Sequence, residues 1–408
     1  MSKEFETSGI ERVPDFQLPQ YAFELTNPEL KSRHPAAIKY ITTQIEKEDL
    51  APYYYYLHHE YFKKDASFLP WDETMYENLK SNNDAKIKEL NNKITTIEEE
   101  DEDNELDKVI AITKLGEYYA KIGDRSNAIK TLRKAFELSS STGTKIDILL
   151  TISRIGFFFN DLHFTEKILS EASLLIEKGG DWERRNRYKT YYGIHLMSIR
   201  NFEEAAKLLV DSLSTFTSTE IATYEQIAVL AVLAGLLVFE RKDHKKKIVD
   251  SPEILSLVTT SHEVKLVTSL SDALYHTQYQ NLFPFLSQVY DEVLISSQYL
   301  SIHANYYIRE LRRKAYAQLL DSYKALSLKS MAEQFGVSVE FLDNDLCKFI
   351  PNKKLNCVID RVNGIVETNR PDNKNAQYQL LIKQGDSLLT KLQKYGAAVK
   401  LSGTSTVA

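Results

Sequence analysis

The residues that could carry chemistry in this 408-residue chain do not converge. His58-His59-Glu60 offers two imidazoles and a carboxylate, but a zinc-binding helix needs a second histidine four residues beyond the first, and none stands there. The other histidines occur singly. There is no GxSxG elbow, dinucleotide-binding fingerprint or metal-spaced cysteine cluster, and nothing sets two carboxylates around one pocket. The expectation is a non-enzyme with no catalytic residue, no cofactor and no metal.

Three charged stretches remain. EEEDEDNELD, residues 98–107, lacks the glycine and later glutamate of a calcium loop and reads as an exposed joint or a distorted helical junction. RKDHKKK, residues 241–247, has the charge to hold a phosphate, but its aspartate and the lack of aromatic neighbours favour a solvated turn. The third contains Trp182, Arg184, Arg185 and Arg187 among Asp181, Glu183 and Tyr188. Ion pairs one helical turn apart, with Trp182 packed beneath, are favoured there; a contact with another subunit is the alternative.

The elements around these residues are mainly helical. From Ser327 to Thr368 the order is helix, turn, helix, hairpin: Ser327 and Ser338 can cap helices, Gly336 can end the first, Pro351 stops the second, and Asn363-Gly364 joins two β-branched runs, Leu355–Val362 and Ile365–Thr368. That is the order of a winged helix. A DNA reader would present Arg, Lys, Asn or Gln on its second helix, whereas this one carries Glu340, Asp343, Asn344 and Asp345 before Lys348. Protein assembly fits these residues better than nucleic-acid binding.

The net charge of -6 argues against a dedicated polyanion binder, and the two cysteines, Cys347 and Cys357, read as buried free thiols in a reducing compartment. The charged N-terminus has no signal-peptide core, and the longest apolar run, Ile227–Phe239, is too short to span a membrane. Prolines at 14, 19, 28 and 35 predict a mostly extended arm over 1–37, followed by N-terminal helices over 38–105 that end in the acidic joint. Over 106–215 three weakly similar units have the spacing of tetratricopeptide repeats, with Gly116, Gly156 and Gly193 where paired helices approach closely. Gly123-Asp124 and Arg200-Asn201 read as turns within hairpins; Gly143 and Gly179-Gly180 read as separators. A helical part over 216–326 leads to the winged helix at 327–370.

A last helix over 376–396 carries Leu380, Leu381, Leu388, Leu389, Leu392 and Tyr395 as an apolar stripe. Burying each leucine is worth roughly 1.5 to 3 kcal/mol, so the stripe should find a partner groove.

Tetratricopeptide-like solenoid, winged helix and C-terminal helix together resemble the PCI family, shared by the proteasome lid, the COP9 signalosome and a translation initiation factor complex. The stretches 179–195, 200–213 and 336–399 are similar to the fungal form of a proteasome-lid member, with a signalosome subunit as the alternative. The resemblance implies a non-catalytic scaffold of the proteasome regulatory particle lid, in the cytoplasm and nucleus, needed for lid assembly and so for degradation of ubiquitinated proteins. It implies lateral contacts with other PCI-fold lid subunits through the winged helix, for which Phe341, Leu355, Val358, Ile359, Val362, Ile365 and Val366 are candidates. It further implies a bundle of the C-terminal stripe with MPN-fold subunits including the deubiquitinase, and a reach of the solenoid toward the base ATPases. Neither nucleic acid nor membrane is an expected partner.

Overall fold

Three of the four early prolines start helices instead of keeping the chain extended. In the computed structural model, which describes residues 12–63, 68–100, 105–369 and 373–404, α1 spans Gln17–Thr26 with Pro19 in its first turn. A 3-10 turn follows at Pro28–Leu30, and α2 runs His34–Glu48 with Pro35 at its start. A first-turn proline forfeits an N–H that has no partner inside the helix anyway, which is why the expected extended arm over 1–37 is largely helical where described.

Helix α3, Ala51–Tyr56, continues through a π-type turn at Leu57–Tyr61, and α4 spans Glu73–Glu100. Tyr53 and Tyr54 are buried in an aromatic core, Tyr53 against Phe158 and Tyr54 stacked on Trp71, each pair at 4.9 Å. His58 and His59 also pack on Trp71, so this histidine pair belongs to that core. Of the acidic joint expected at 98–107, residues 98–100 end α4 and 105–107 begin the next helix, while 101–104 lie outside the described residues.

Contacts divide the chain into two units, residues 1–312 and 313–408. The first continues as helical hairpins: α5 Glu105–Ile122 with α6 Arg125–Leu138, α7 Thr142–Phe158 with α8 Leu162–Gly179, and α9 Trp182–Ser198 with α10 Phe202–Leu213. The glycines sit at the crossings. A Cβ on Gly116 would lie 2.7 Å from the Leu132 side chain, one on Gly193 2.6 Å from that of Leu209, and one on Gly156 would collide with the Thr165 hydroxyl. Each hairpin turns on a residue of positive φ, Gly123 at 84°, Asn160 at 53° and Arg200 at 67°. Asp124 and Asp161 then cap the second helix by accepting the N–H of Asn127 and Phe164. Gly143 is no separator; it lies in the first turn of α7, against the Arg184 guanidinium.

Beyond these hairpins come α11 Tyr224–Val238, α12 Arg241–His244 with a π-type turn at Lys245–Val249, α13 Pro252–Val258, α14 His262–Tyr275, α15 Tyr279–Val289 and α16 Ala304–Leu320. Helix α11 opens with a capping box between Thr223 and Gln226 and buries every residue from Ile227 to Leu236. None of the described helices is long and apolar enough to cross a membrane.

The second unit holds the winged helix. Strand β1, Ala325–Ser327, precedes α17 Leu328–Phe335 and α18 Val339–Phe349; β2 Cys357–Asp360 and β3 Ile365–Thr368 form the wing. Ser327 and Ser338 cap their helices through the N–H of Ser330 and Phe341, and Gly336 ends α17 at a φ of 65°. The sheet order is β1-β3-β2, antiparallel throughout, with Leu326 opposite Val366 and Ile359 opposite Val366 on the other side. The sequence reading contains no β1: three residues carry too little pattern to be seen, and the strand is defined by pairing with β3. Helix α19, Asn373–Thr404, runs past both ends of the expected 376–396.

Candidate functional site

Among the described residues no group of three or more His, Cys, Asp or Glu side chains could hold a metal ion. Burial pushes the Cys357 thiol up to about 11, so this cysteine is a protonated core group. The surfaces that could act on other molecules lie on the winged helix, on α19 and beside α9.

On the winged helix, strand alternation sorts the candidates. Cys357, Ile359 and Val366 share the inner face, while Val358 and Ile365 point to the other. Val366 is 0% exposed and Leu355 is likewise buried, so these two are core residues and not contact residues, a correction to the expected lateral set. Val358, Val362 and Phe341 are exposed, and Ile359 and Ile365 are half-buried. Strand β2 pairs with β3 on one side only, which leaves its other edge a row of backbone donors and acceptors among the described residues. The acidity of α18 is also redistributed. Asp345 is buried and accepts a hydrogen bond from Tyr316 Oη at 3.2 Å, and Asp343 pairs with Arg361 at 2.9 Å.

The large apolar residues of α19 from Tyr378 to Val399 are exposed, from 57% at Leu389 to 72% at Tyr395. They repeat every seven residues: Tyr378, Gly385, Leu392 and Val399; Leu381, Leu388 and Tyr395; Ile382, Leu389 and Gly396. Leu380 lies about 130° round the helix from the centre of this stripe at ~100° per residue, and so does not belong to it as expected. Gly385 and Gly396 sit within the stripe, and nothing stands within 4 Å of a Cβ built on either.

The charged cluster on α9 is mostly an internal clamp. Arg184 donates from Nε and Nη2 to Asp147 Oδ2 at 3.0 and 2.7 Å and from Nη1 to Asp181. Arg187, 3% exposed, reaches Asp147 Oδ1 at 3.0 Å and Glu220 Oε1 at 2.9 Å, and Glu220 also accepts from Tyr191 Oη at 3.0 Å. Burial, with Glu220 beside it, holds the Tyr191 hydroxyl protonated far above its ordinary range. The pairs mostly join α9 to α7 and to the segment before α11, where the sequence suggested pairs within one helix. Trp182 is not packed beneath them; it is 64% exposed, and Arg185 is exposed as well.

Comparison with known proteins covers nearly the whole chain. Residues 72–247 match the family described as 26S proteasome subunit RPN7, residues 242–370 the PCI domain, and residues 377–399 the 26S proteasome regulatory subunit RPN7/PSMD6 C-terminal helix. The chain is 54% identical over 419 residues to the 26S proteasome regulatory subunit RPN7 of Saccharomyces cerevisiae, spanning 99% of this chain and 97% of that one. It is 43% identical over 393 residues to the corresponding subunit of Schizosaccharomyces pombe, covering 96% and 98%. To the 26S proteasome non-ATPase regulatory subunit 6 homolog of Arabidopsis thaliana it is 36% identical over 389 residues, covering 95% and 97%.

Proposed function

Since the chain belongs to the 26S proteasome regulatory subunit RPN7 family, we propose that it is a non-catalytic scaffold of the proteasome regulatory particle lid. In that role it is needed for lid assembly, and so for ATP-dependent degradation of ubiquitinated proteins in the cytoplasm and nucleus. The observation that carries this reading is the uncovered stripe of α19. A helix that exposes this many large apolar groups on one face in the free chain gains most of its stability from a partner.

Three contacts make up the proposal. The seven-residue repeat of α19 packs into a helical bundle with MPN-fold subunits including the deubiquitinase. The glycines at 385 and 396 let a neighbouring backbone come close. Phe341 on α18, Val358 and Ile359 on β2, Val362 in the turn and Ile365 on β3, together with the open edge of β2, meet another PCI-fold lid subunit. The N-terminal solenoid reaches the base ATPases. Nucleic acid and membrane have no place in this reading, because α18 still offers Glu340 and Asp343 where a duplex would need cations.

The triple substitution Leu388→Ser, Leu389→Ser, Leu392→Ser tests it. All three side chains are exposed in the free chain, so its circular dichroism and melting should change little outside α19 itself. Sedimentation with the 26S particle should be lost. Normal incorporation of the triple variant would overturn the bundle reading.

A further inference from the structure

We propose that the aromatic face formed by Tyr55, His59, Trp71 and Tyr76 docks an arginine side chain on a segment of another protein. Tyr55 on α3 and His59 on the π-type turn that continues it stack their rings at 4.2 Å and 16°. Trp71, in the segment leading into α4, meets His59 at 4.8 Å and Tyr55 at 6.2 Å, and Tyr76 on α4 meets Trp71 at 5.1 Å and Tyr55 at 6.2 Å. Tyr54, buried and stacked on Trp71, anchors the group to the core. The face itself is open: Tyr55 is 44% exposed and the other three are half-buried. Tyr and Trp gathered at a surface are the residues that protein contact sites favour.

The residues beside the rings set the charge of the occupant. Glu60 follows His59, Asp72 and Glu73 follow Trp71, and Glu77 follows Tyr76; all four are exposed, and among the described residues none has an ion-pair partner. The Thr74 hydroxyl and the N–H groups of Met75 and Thr74 donate to Asp72 and hold its carboxyl below the ordinary range, so it stays charged. Within four residues of these carboxylates the described cations are Lys63 and Lys80, two charges against four. A wholly apolar occupant would strip water from the carboxylates without replacing it, and a nucleic acid would be repelled by them.

A cation answers both demands, since it is drawn to the carboxylates and to the negative face of a tyrosine or indole ring. Among the described residues no Lys or Arg stands over Tyr55, Trp71 or Tyr76. Elsewhere the chain fills such a place itself: Arg200 and Arg309 lie over the ring of Tyr306, 4.6 and 5.2 Å from its centroid. Arginine suits the face better than lysine, because its planar guanidinium stacks on a ring while its edge N–H groups reach a carboxylate.

The test uses the full chain and calorimetric titration with a capped peptide of alternating glycine and arginine, and the same peptide with lysine, citrulline or glutamate in place of arginine. The arginine peptide should bind about fivefold more tightly than the lysine peptide and about tenfold more tightly than the other two. In a Trp182→Phe background, which leaves Trp71 as the only indole, it should change the tryptophan emission in step with the heat. Tyr55→Ala should weaken the arginine peptide about fivefold, and Tyr55→Phe, which keeps the ring, should not. Glu60→Gln with Glu73→Gln, both at exposed positions, should weaken it about threefold with an unchanged melting curve, which separates loss of the site from loss of the fold. Binding of any other peptide as tight as that of the arginine peptide, undiminished binding in Tyr55→Ala or in the carboxamide pair, or heat without a change in Trp71 emission would each overturn the proposal. The inference does not depend on the proteasome assignment.

Discussion

A guanidinium as buried as that of Arg187 persists only because Asp147 and Glu220 hold it, and removing it leaves Glu220, itself 3% exposed, without its counter-ion. Breaking a buried pair from one side costs about 3 to 5 kcal/mol, so Arg187→Met should lower the denaturant midpoint by that equivalent, while Arg185→Ala, at an exposed position, should leave it unchanged. His195 is the other residue held against its chemistry. It is 1% exposed beside Phe157 and Tyr192, and neither ring nitrogen has a hydrogen-bond partner. Burial lowers its pKa from the usual 6.5, against a smaller raising effect of Glu166. The unfolded chain therefore takes up a proton at higher pH than the folded one, and the stability present above about pH 6.5 is lost as pH falls through that value. The difference in unfolding free energy between pH 7.5 and 5.5 should be smaller in His195→Phe than in the natural chain; an equal difference would assign the acid loss to other groups. At this scale little was legible beforehand. The residue types at 181–188 announced a charged cluster, but its cross-helix partners at 147 and 220 are far off in sequence, and nothing marked Trp182 as exposed.

Among elements, the hairpins were the easiest to read and show why. The spacing of Gly116, Gly156 and Gly193 is visible in the sequence, and each lies where the second helix of its pair comes close, through Leu132, Thr165 and Leu209 respectively. Because a Cβ at 116 or 193 would press on a leucine at 2.7 or 2.6 Å, Gly116→Ala and Gly193→Ala should each cost about 1 to 3 kcal/mol despite the better helix propensity of alanine, measured by denaturant unfolding. Gly385→Ala should behave oppositely, raising the helicity of the free chain by up to about 1 kcal/mol, since nothing approaches that position there. The N-terminal prolines were misread because position within a helix, not proline content, decides whether a proline breaks it. The α14–α15 hairpin went unseen because Thr277, with a φ of 58°, turns it where no glycine advertises the turn. The winged-helix caps and the Gly336 stop were legible because they are local; the burial of Leu355 and Val366 depends on which face of the sheet the helices cover.

For the whole molecule, the family is set by similarity along nearly the full chain, and the physical chemistry supplies a reason for its design. Among the described residues no group of three or more His, Cys, Asp or Glu could hold a metal ion, whereas a long helix shows large apolar side chains at its surface and the outer edge of β2 pairs with no described strand. Comparing the endogenous full chain with a truncation ending at Asn375, each recovered by affinity purification and weighed by native mass spectrometry, is the most direct test of the scaffold reading. The full chain should return the intact lid and the 26S particle, and the truncation a lone chain or a stalled partial assembly. Recovery of complete particles with the truncated chain would contradict the claim that α19 holds this subunit in its assembly.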